Sequence, residues 1–302
     1  MKLTTNIADT IITINLLGQA ERSIHLCRQF FRDFLCSGQD KDAEIKISVL
    51  ENINNSLSVG KRARTPVIEE RLSTKDVIEW LDKIPLHTDD FPITETTISS
   101  LCLNGLLLYN PDSSNGRIYF FKDGVECFRP IFRLFWIYLA QVLGERKSCF
   151  LHSAALVRDE KAYLFLGDSG DGKSSLARIF GGSMVFSDDS PILCERNGDP
   201  LVFPSPYHQI DSLKGLDKEV IGSSARVEGL YFLTKDNRVY LESVSKREAI
   251  SLIINRHIHF FRHLSTRAKS LLFDLFIDVC DRIPSYNLHF SLDGDIWGAI
   301  DS

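Results

Sequence analysis

Residues 151–189 read LHSAALVRDEKAYLFLGDSGDGKSSLARIFGGSMVFSDD, and the order of elements in this stretch decides the fold. Lys161 to Leu166 (KAYLFL) is a short apolar run of the kind a buried strand needs. It enters a glycine-rich loop, Gly167-Asp168-Ser169-Gly170-Asp171-Gly172-Lys173-Ser174, that satisfies the Walker A pattern GxxxxGK(S/T). A helix is expected over Ser174 to Phe180, then a strand over Met184 to Ser187 that ends in Asp188 and Asp189. Strand, loop, helix and strand in that order form a right-handed crossover unit of an α/β domain.

Each position in the loop has a physical reason. Glycines at 167, 170 and 172 permit positive φ, so successive N–H groups turn inward toward phosphate oxygens. The helix that begins near Lys173 adds the positive end of its dipole. Lys173 is placed to reach the β- and γ-phosphates, Ser174 offers a hydroxyl to Mg²⁺, and Ser175 follows in the same first turn. Asp188 and Asp189 are expected at the carboxyl edge of adjacent parallel strands, where ligands bind. Two carboxylates there allow one to hold a metal ion while the other accepts a proton. His152 stands just ahead of the strand pair that leads into the loop.

Outward from this stretch, the 302 residues suggest two domains of about 150 residues each. The boundary is expected near residue 130, with a mixed α/β segment over 1–130 and the loop-bearing domain over 131–302. A net charge of −5 argues against nucleic-acid binding by bulk phosphate neutralisation. Cys27, Cys36, Cys102, Cys127, Cys149, Cys194 and Cys280 form no CxxC pair, which disfavours a zinc ribbon or disulfide framework and points to a reducing cytoplasm. Ile131 to Leu143 is too short to span a bilayer and reads as a buried helix, so no membrane partner is expected.

Within the first segment, strands are expected at Ile11 to Leu17, at Glu44 to Leu50, and around the turn Asn110 to Gly116. Helices are expected at Ala20 to Leu35 and from the Ser73–Thr74 cap to Leu81, with a polar loop at Asn52 to Thr65 that carries Lys61, Arg62 and Arg64. In the second segment Cys149 to Val157 reads as one strand and Arg247 to Phe261 as one helix. Further strands are expected at Leu230 to Leu233, Val239 to Val244 and Tyr286 to Phe290, and a helix at Ser265 to Cys280. Arg256, His257, His259, Arg262, His263, Arg267 and Lys269 cluster without an intervening acid and read first as a solvated helix face, and second as a patch that steers phosphate or acceptor, with an arginine to stabilise the transition state. Thr234-Lys235-Asp236-Asn237 has its acid one place too early for a guanine-specific loop, which disfavours a GTPase.

The segment LHSAALVRDEKAYLFLGDSGDGKSSLA, followed by FSDD, resembles the HPr serine kinase/phosphorylase group, and more closely the HPr-kinase-like proteins of peptide-modification clusters. Weaker likeness continues through PSPYHQ at Pro204 to Gln209 and IPSYNLHF at Ile283 to Phe290. The resemblance implies a fold shared with phosphoenolpyruvate carboxykinases, ATP and Mg²⁺ as cofactors, and phosphoryl transfer to a serine or other hydroxyl of a peptide, protein or small molecule. It makes Asp188 the general base, Asp189 with Ser174 the metal ligands, and His152 and Lys173 neighbours of the transferring phosphate. It also implies a homo-oligomer. PLVFPSPYHQIDSLKG at Pro200 to Gly215 stands where the bifunctional enzymes carry a glycine-rich signature, so a kinase for another acceptor is expected. The reading from another class is a regulatory module that binds ATP without transfer.

Overall fold

Alternating apolar and polar residues pair the first two strands, β1 (Lys2–Ile7) and β2 (Thr10–Leu17), into an antiparallel hairpin. Its two-residue turn, Ala8–Asp9, has both residues at positive φ, the twist that such a short hairpin requires. The computed structural model describes residues 2–17, 41–50, 97–102, 105–121, 128–179, 184–206, 220 and 222–302. The helices expected at Ala20 to Leu35 and up to Leu81, the loop Asn52 to Thr65 and Tyr207 to Gln209 lie outside the described residues. The chain is a mixed α/β protein with two sheets. It divides into one unit of Met1–Val142 with Arg262–Ser265 and another of Leu143–Phe261 with Thr266–Ser302.

In the first unit the sheet order is β1-β2-β3-β6-β5-β4, with β3 at Ala43–Leu50, β4 at Ile98–Cys102, β5 at Gly105–Asn110 and β6 at Asn115–Phe121. The turn before β6 is an Asx turn: Asn110 Oδ1 accepts from the amides of Asp112 (2.9 Å) and Ser113 (3.2 Å). Helix α1 (Phe128–Gly144), the apolar run read from the sequence, buries every residue from Leu134 to Leu143. The sequence places a boundary near residue 130, whereas the division between the units falls inside this helix. Gln141, fully buried, donates to the His263 carbonyl and accepts from the Ser265 amide at 3.1 Å, which ties Arg262–Ser265 to this unit. No helix among the described residues is long and apolar enough to cross a membrane.

The second unit is built on a nine-stranded sheet with the path β10-β8-β9-β13-β12-β11-β7. Its strands are β7 (Ser148–Phe150), β8 (Ser153–Arg158), β9 (Lys161–Leu166), β10 (Met184–Ser187), β11 (Ile192–Arg196), β12 (Asp199–Phe203), β13 (Ala225–Lys235), β14 (Tyr240–Ser243) and β15 (Ser285–Phe290). Strand β15 runs parallel to the end of β13 and antiparallel to β14. Helices α2 (Lys173–Ile179), α3 (Lys246–Leu252), α4 (Thr266–Arg282) and α5 (Ile296–Ile300) complete it. Leu176 and Ala177 of α2 pack with Ala154, Tyr163, Phe165, Tyr231, Leu288, Phe290 and Ile296, which seats the helix on the sheet.

The structure changes four expectations in this unit. Strands β9 and β10, linked through the loop and α2, are not adjacent: β8 lies between them, antiparallel to both. The expected strand Cys149 to Val157 breaks at Leu151–His152, because β7 pairs with β11 at one end of the sheet path while β8 pairs with β9 and β10 near the other. Strands β11 and β12 form where the sequence pattern predicts no element. The expected helix Arg247 to Phe261 ends early: α3 passes into a wider π turn at Ile253–His257, and Ile258 is extended to form a bridge with Leu151.

This strand order brings the chemistry to one edge. Strands β9, β13 and β15 are parallel, and β10 points the same way because both β9 and β10 oppose β8. Their carboxyl ends therefore share an edge with the start of β8. His152, the glycine-rich loop and Asp188–Asp189 all stand there.

Candidate functional site

Backbone bonds build the site before any side chain enters it. At the break between β7 and β8, the Leu151 amide donates to the Pro191 carbonyl at 2.9 Å and the Ser153 amide to the Asp189 carbonyl at 3.1 Å. On the other flank the His152 amide donates to the His257 carbonyl at 2.7 Å, and the His259 amide to the Phe150 carbonyl at 3.1 Å. His152 is thus held between the aspartate pair and the segment His257–His259. The pair is displayed by Ser187, whose Oγ accepts from the Asp189 amide at 3.2 Å and the Ser190 amide at 2.9 Å.

Two of the three loop glycines take the positive φ expected of them, and Gly167 does not. Gly170 (φ 96°) and Gly172 (φ 107°) are left-handed, and a Cβ on Gly172 would stand 3.1 Å from Phe290 Cζ. Gly167 is buried against Asp171 and Leu233, where a Cβ would meet them at 3.0 and 3.3 Å. Asp171 closes the loop by accepting from the Asp168 amide at 2.6 Å, and Lys235 Nζ donates to the Gly170 carbonyl at 2.7 Å. Ser169 lies at the exposed tip and Ser175 is half-buried in the first turn of α2.

Lys173 is only 5% exposed. Its ammonium donates to the carbonyls of Gly167 (2.6 Å) and Asp168 (3.0 Å) and contacts His152 Nε2 at 3.1 Å. Burial lowers the Lys173 pKa, opposed by the carboxylates of Asp189, Asp171, Asp168 and Asp188.

The two aspartates are both buried and face different partners. The Ser174 hydroxyl lies 3.4 Å from Asp188 Oδ2. Asp189 Oδ1 lies 3.2 Å from His152 Nδ1, while its Oδ2 accepts from Ser190 Oγ at 3.0 Å and stands 3.9 Å from His259 Nε2. Burial pushes the Asp189 carboxyl up, but the hydrogen bond and charge of His152, then His259 and the Ser190 hydroxyl, hold it below its ordinary value.

His259 is the residue that sequence reasoning missed. In the sequence it stands among the basic residues of one cluster, yet its Nε2 lies 3.1 Å from His152 Nδ1, with the two rings edge to face at 4.7 Å. The rest of that cluster makes other contacts: His257 and His263 are buried, Arg267 pairs with Glu145 at 3.1 Å, and Arg256 lies 3.9 Å from Asp168 of the loop. The only sequence signal for His259 was an unusual density of histidines, with no spacing rule to single it out.

Burial, followed by the charge of His152, lowers His257 and His259 to about 4. An unfolded histidine titrates near 6.5. These rings therefore fold neutral and bind fewer protons than in the unfolded chain. Stability is full above about pH 6.5 and is lost as the pH falls from there toward 4. For His257, 4% exposed, the loss is on the order of 3 kcal/mol. Chemical denaturation between pH 7 and 4 is expected to show this decline, with a flatter profile in His257→Gln.

No family model matches the chain, and no curated protein matches it. Among solved structures, the Hpr(Ser) kinase/phosphatase from Coxiella burnetii is similar at 22% sequence identity, over 32% of this chain and 70% of that chain, with a TM-score of 0.25.

Proposed function

We propose that the second unit is an ATP- and Mg²⁺-dependent phosphotransferase of the HPr-kinase-like, phosphoenolpyruvate-carboxykinase-like type. It would move the γ-phosphoryl group to a serine or other hydroxyl of a peptide, protein or small molecule. The observation that carries this reading is the division of the aspartate pair. One carboxylate stands with the loop serine, and the other with a histidine that also touches the loop lysine.

Ser174 Oγ and Asp188 Oδ2 are hard oxygen donors at the head of α2, a set that suits Mg²⁺, which binds few protein oxygens and keeps several waters. Bound there with the nucleotide, the ion supplies charge neutralisation at the phosphate oxygens. Lys173 would turn its ammonium from His152 to the same phosphates, and the loop amides would cradle them. Asp189, oriented by His152, would accept the proton of the acceptor hydroxyl. This order exchanges the roles that the family resemblance implies for Asp188 and Asp189, because Ser174 lies on Asp188.

The test is incubation with labelled ATP and hydroxyl acceptors, including free serine, peptides and proteins. Label transfer that needs Mg²⁺ is expected, with Asp188→Asn raising the Mg²⁺ concentration required for half-maximal transfer by about tenfold or more. Nucleotide binding without transfer to any acceptor would overturn the reading in favour of a binding module.

A further inference from the structure

On the face of the second sheet that carries α2 and α5, a cavity of about 660 Å³ is lined by Tyr163, Glu228, Tyr231, Leu241, Tyr286 and Asp301. That volume lies within the range of small-molecule sites. Lys161, which also lines it, and Leu166, which leads into the glycine-rich loop, are opposite ends of β9 and about 16 Å apart, so the cavity is separate from the candidate site. Two departures from a regular sheet shape it. The pairing of β13 with β9 shifts between Val227 and Gly229, a bulge that turns Glu228 into the cavity. A Cβ on Gly229 would stand 2.6 Å from Tyr231 Oη, so glycine at this position makes room for the tyrosine ring.

Aromatic rings run in a row across three adjacent strands. The centroids of Phe165 (β9) and Tyr231 (β13) are 5.4 Å apart with the rings at 25°, and those of Tyr231 and Tyr286 (β15) are 5.8 Å apart at 19°. On β14 the residue opposite Tyr286 is Ser243, exposed and too small to continue the row, which therefore stops at the half-buried Tyr286. The same cluster already holds one cation between ring faces and a carboxylate. Arg158 Cζ lies 4.0 Å from the ring centroid of Trp297 and 5.4 Å from that of Tyr163, and its guanidinium pairs with Asp301. Glu228 is the second carboxylate, paired with Lys161 at 2.9 Å, and both of these side chains are about half exposed. Burial, then Tyr163, Tyr286, Glu228 and Asp301, raise the Tyr231 hydroxyl, which stays neutral.

We infer that this cavity binds a flat aromatic ring bearing an ammonium group, with the ring against Tyr286 beside Ser243 and the ammonium on Glu228. A ring in that seat continues the row of Phe165, Tyr231 and Tyr286, where offset stacking is favourable. The ammonium donates a charge-assisted hydrogen bond to Glu228 in place of the exposed Lys161 and lies among electron-rich ring faces. Glu228 and Asp301 together repel an anionic group. A free arylalkylamine and the N-terminal aromatic residue of a peptide both present this chemistry. The inference stands apart from the phosphotransferase reading, because no residue of the loop or of the aspartate pair takes part.

The experiment is calorimetric titration of the full chain with tyramine. One-to-one binding is expected, about tenfold or more weaker for the neutral isostere tyrosol and undetectable for the anionic phloretic acid. Ser243→Trp, a change at an exposed position, should fill the seat and weaken tyramine at least about tenfold, and Glu228→Gln should erase the preference for the amine over tyrosol. In the wild-type protein, nuclear Overhauser contacts between the tyramine ring and Tyr286 read the seat without a substitution. Tyrosylglycinamide separates the two sources: tighter binding than tyramine assigns the site to a peptide terminus, and equal or weaker binding to a free amine. Binding of neither amine would overturn the proposal. So would equal affinity for tyramine and tyrosol, undiminished binding in Ser243→Trp, or displacement of tyramine by Mg²⁺ with a non-hydrolysable ATP analogue. Amine binding without any phosphoryl transfer would preserve the site and overturn only the catalytic reading.

Discussion

Replacing Lys173 by alanine is expected to abolish binding of a non-hydrolysable ATP analogue with Mg²⁺, a loss of at least about 100-fold by titration calorimetry. Charge-assisted hydrogen bonds from a buried ammonium are worth roughly 1.5–3 kcal/mol, and each 1.4 kcal/mol is tenfold in affinity. Lys173 is held ready for this task. It is buried, its ammonium rests on two loop carbonyls and His152, and its pKa is lowered by desolvation, a cost that the charge of an anionic ligand would offset. The loop is expected to survive the substitution, because Asp171 and Lys235 secure it independently. Affinity unchanged in Lys173→Ala would remove the phosphate from this loop altogether.

The second large effect is expected from Asp189→Asn. Loss of a general base costs typically 10²–10⁴ in turnover, while nucleotide affinity should stay within a few-fold because the phosphate contacts are made elsewhere. Its neighbours hold the Asp189 carboxyl below the ordinary range. The acid limb of the rate profile should accordingly lie below that of an ordinary aspartate and disappear in the variant. Asp188→Asn differs in kind, since raised Mg²⁺ should recover part of its activity. If Asp189→Asn retains full turnover at saturating Mg²⁺ while Asp188→Asn loses it irrecoverably, the roles stand in the opposite order.

The outcome for particular residues shows which inferences travel from sequence to structure. Strand β9 ends at Leu166, and the next strand occupies Met184–Ser187, as their apolar runs required. The helix between them, expected from Ser174, starts one residue earlier at Lys173. Gly170 and Gly172 adopt the positive φ that their lack of a Cβ allows. All of these follow from bonds and sterics among near neighbours. The break at Leu151–His152 was not legible, because the residues on both sides are apolar and extended. Periodicity reports that a segment is extended and buried but not which strand lies beside it.

The site divides along the same line. The glycine-rich loop with Lys173 and Ser174 is legible in the sequence because its geometry is set within a few residues, and Asp188–Asp189 are legible only as a pair at the end of a strand. That Ser174 stands on Asp188, that Asp189 turns to His152, and that His259 joins them from 107 residues away were decided only by the tertiary structure. The physical reason is strand order. Placing β8 antiparallel between β9 and β10 brings its first residue to the edge where both neighbours end, and long-range backbone hydrogen bonds then carry the His257–His259 segment to the same place. Local pattern specifies how each segment is shaped, whereas the meeting of these side chains depends on pairings between segments whose separation along the chain leaves no trace in local pattern.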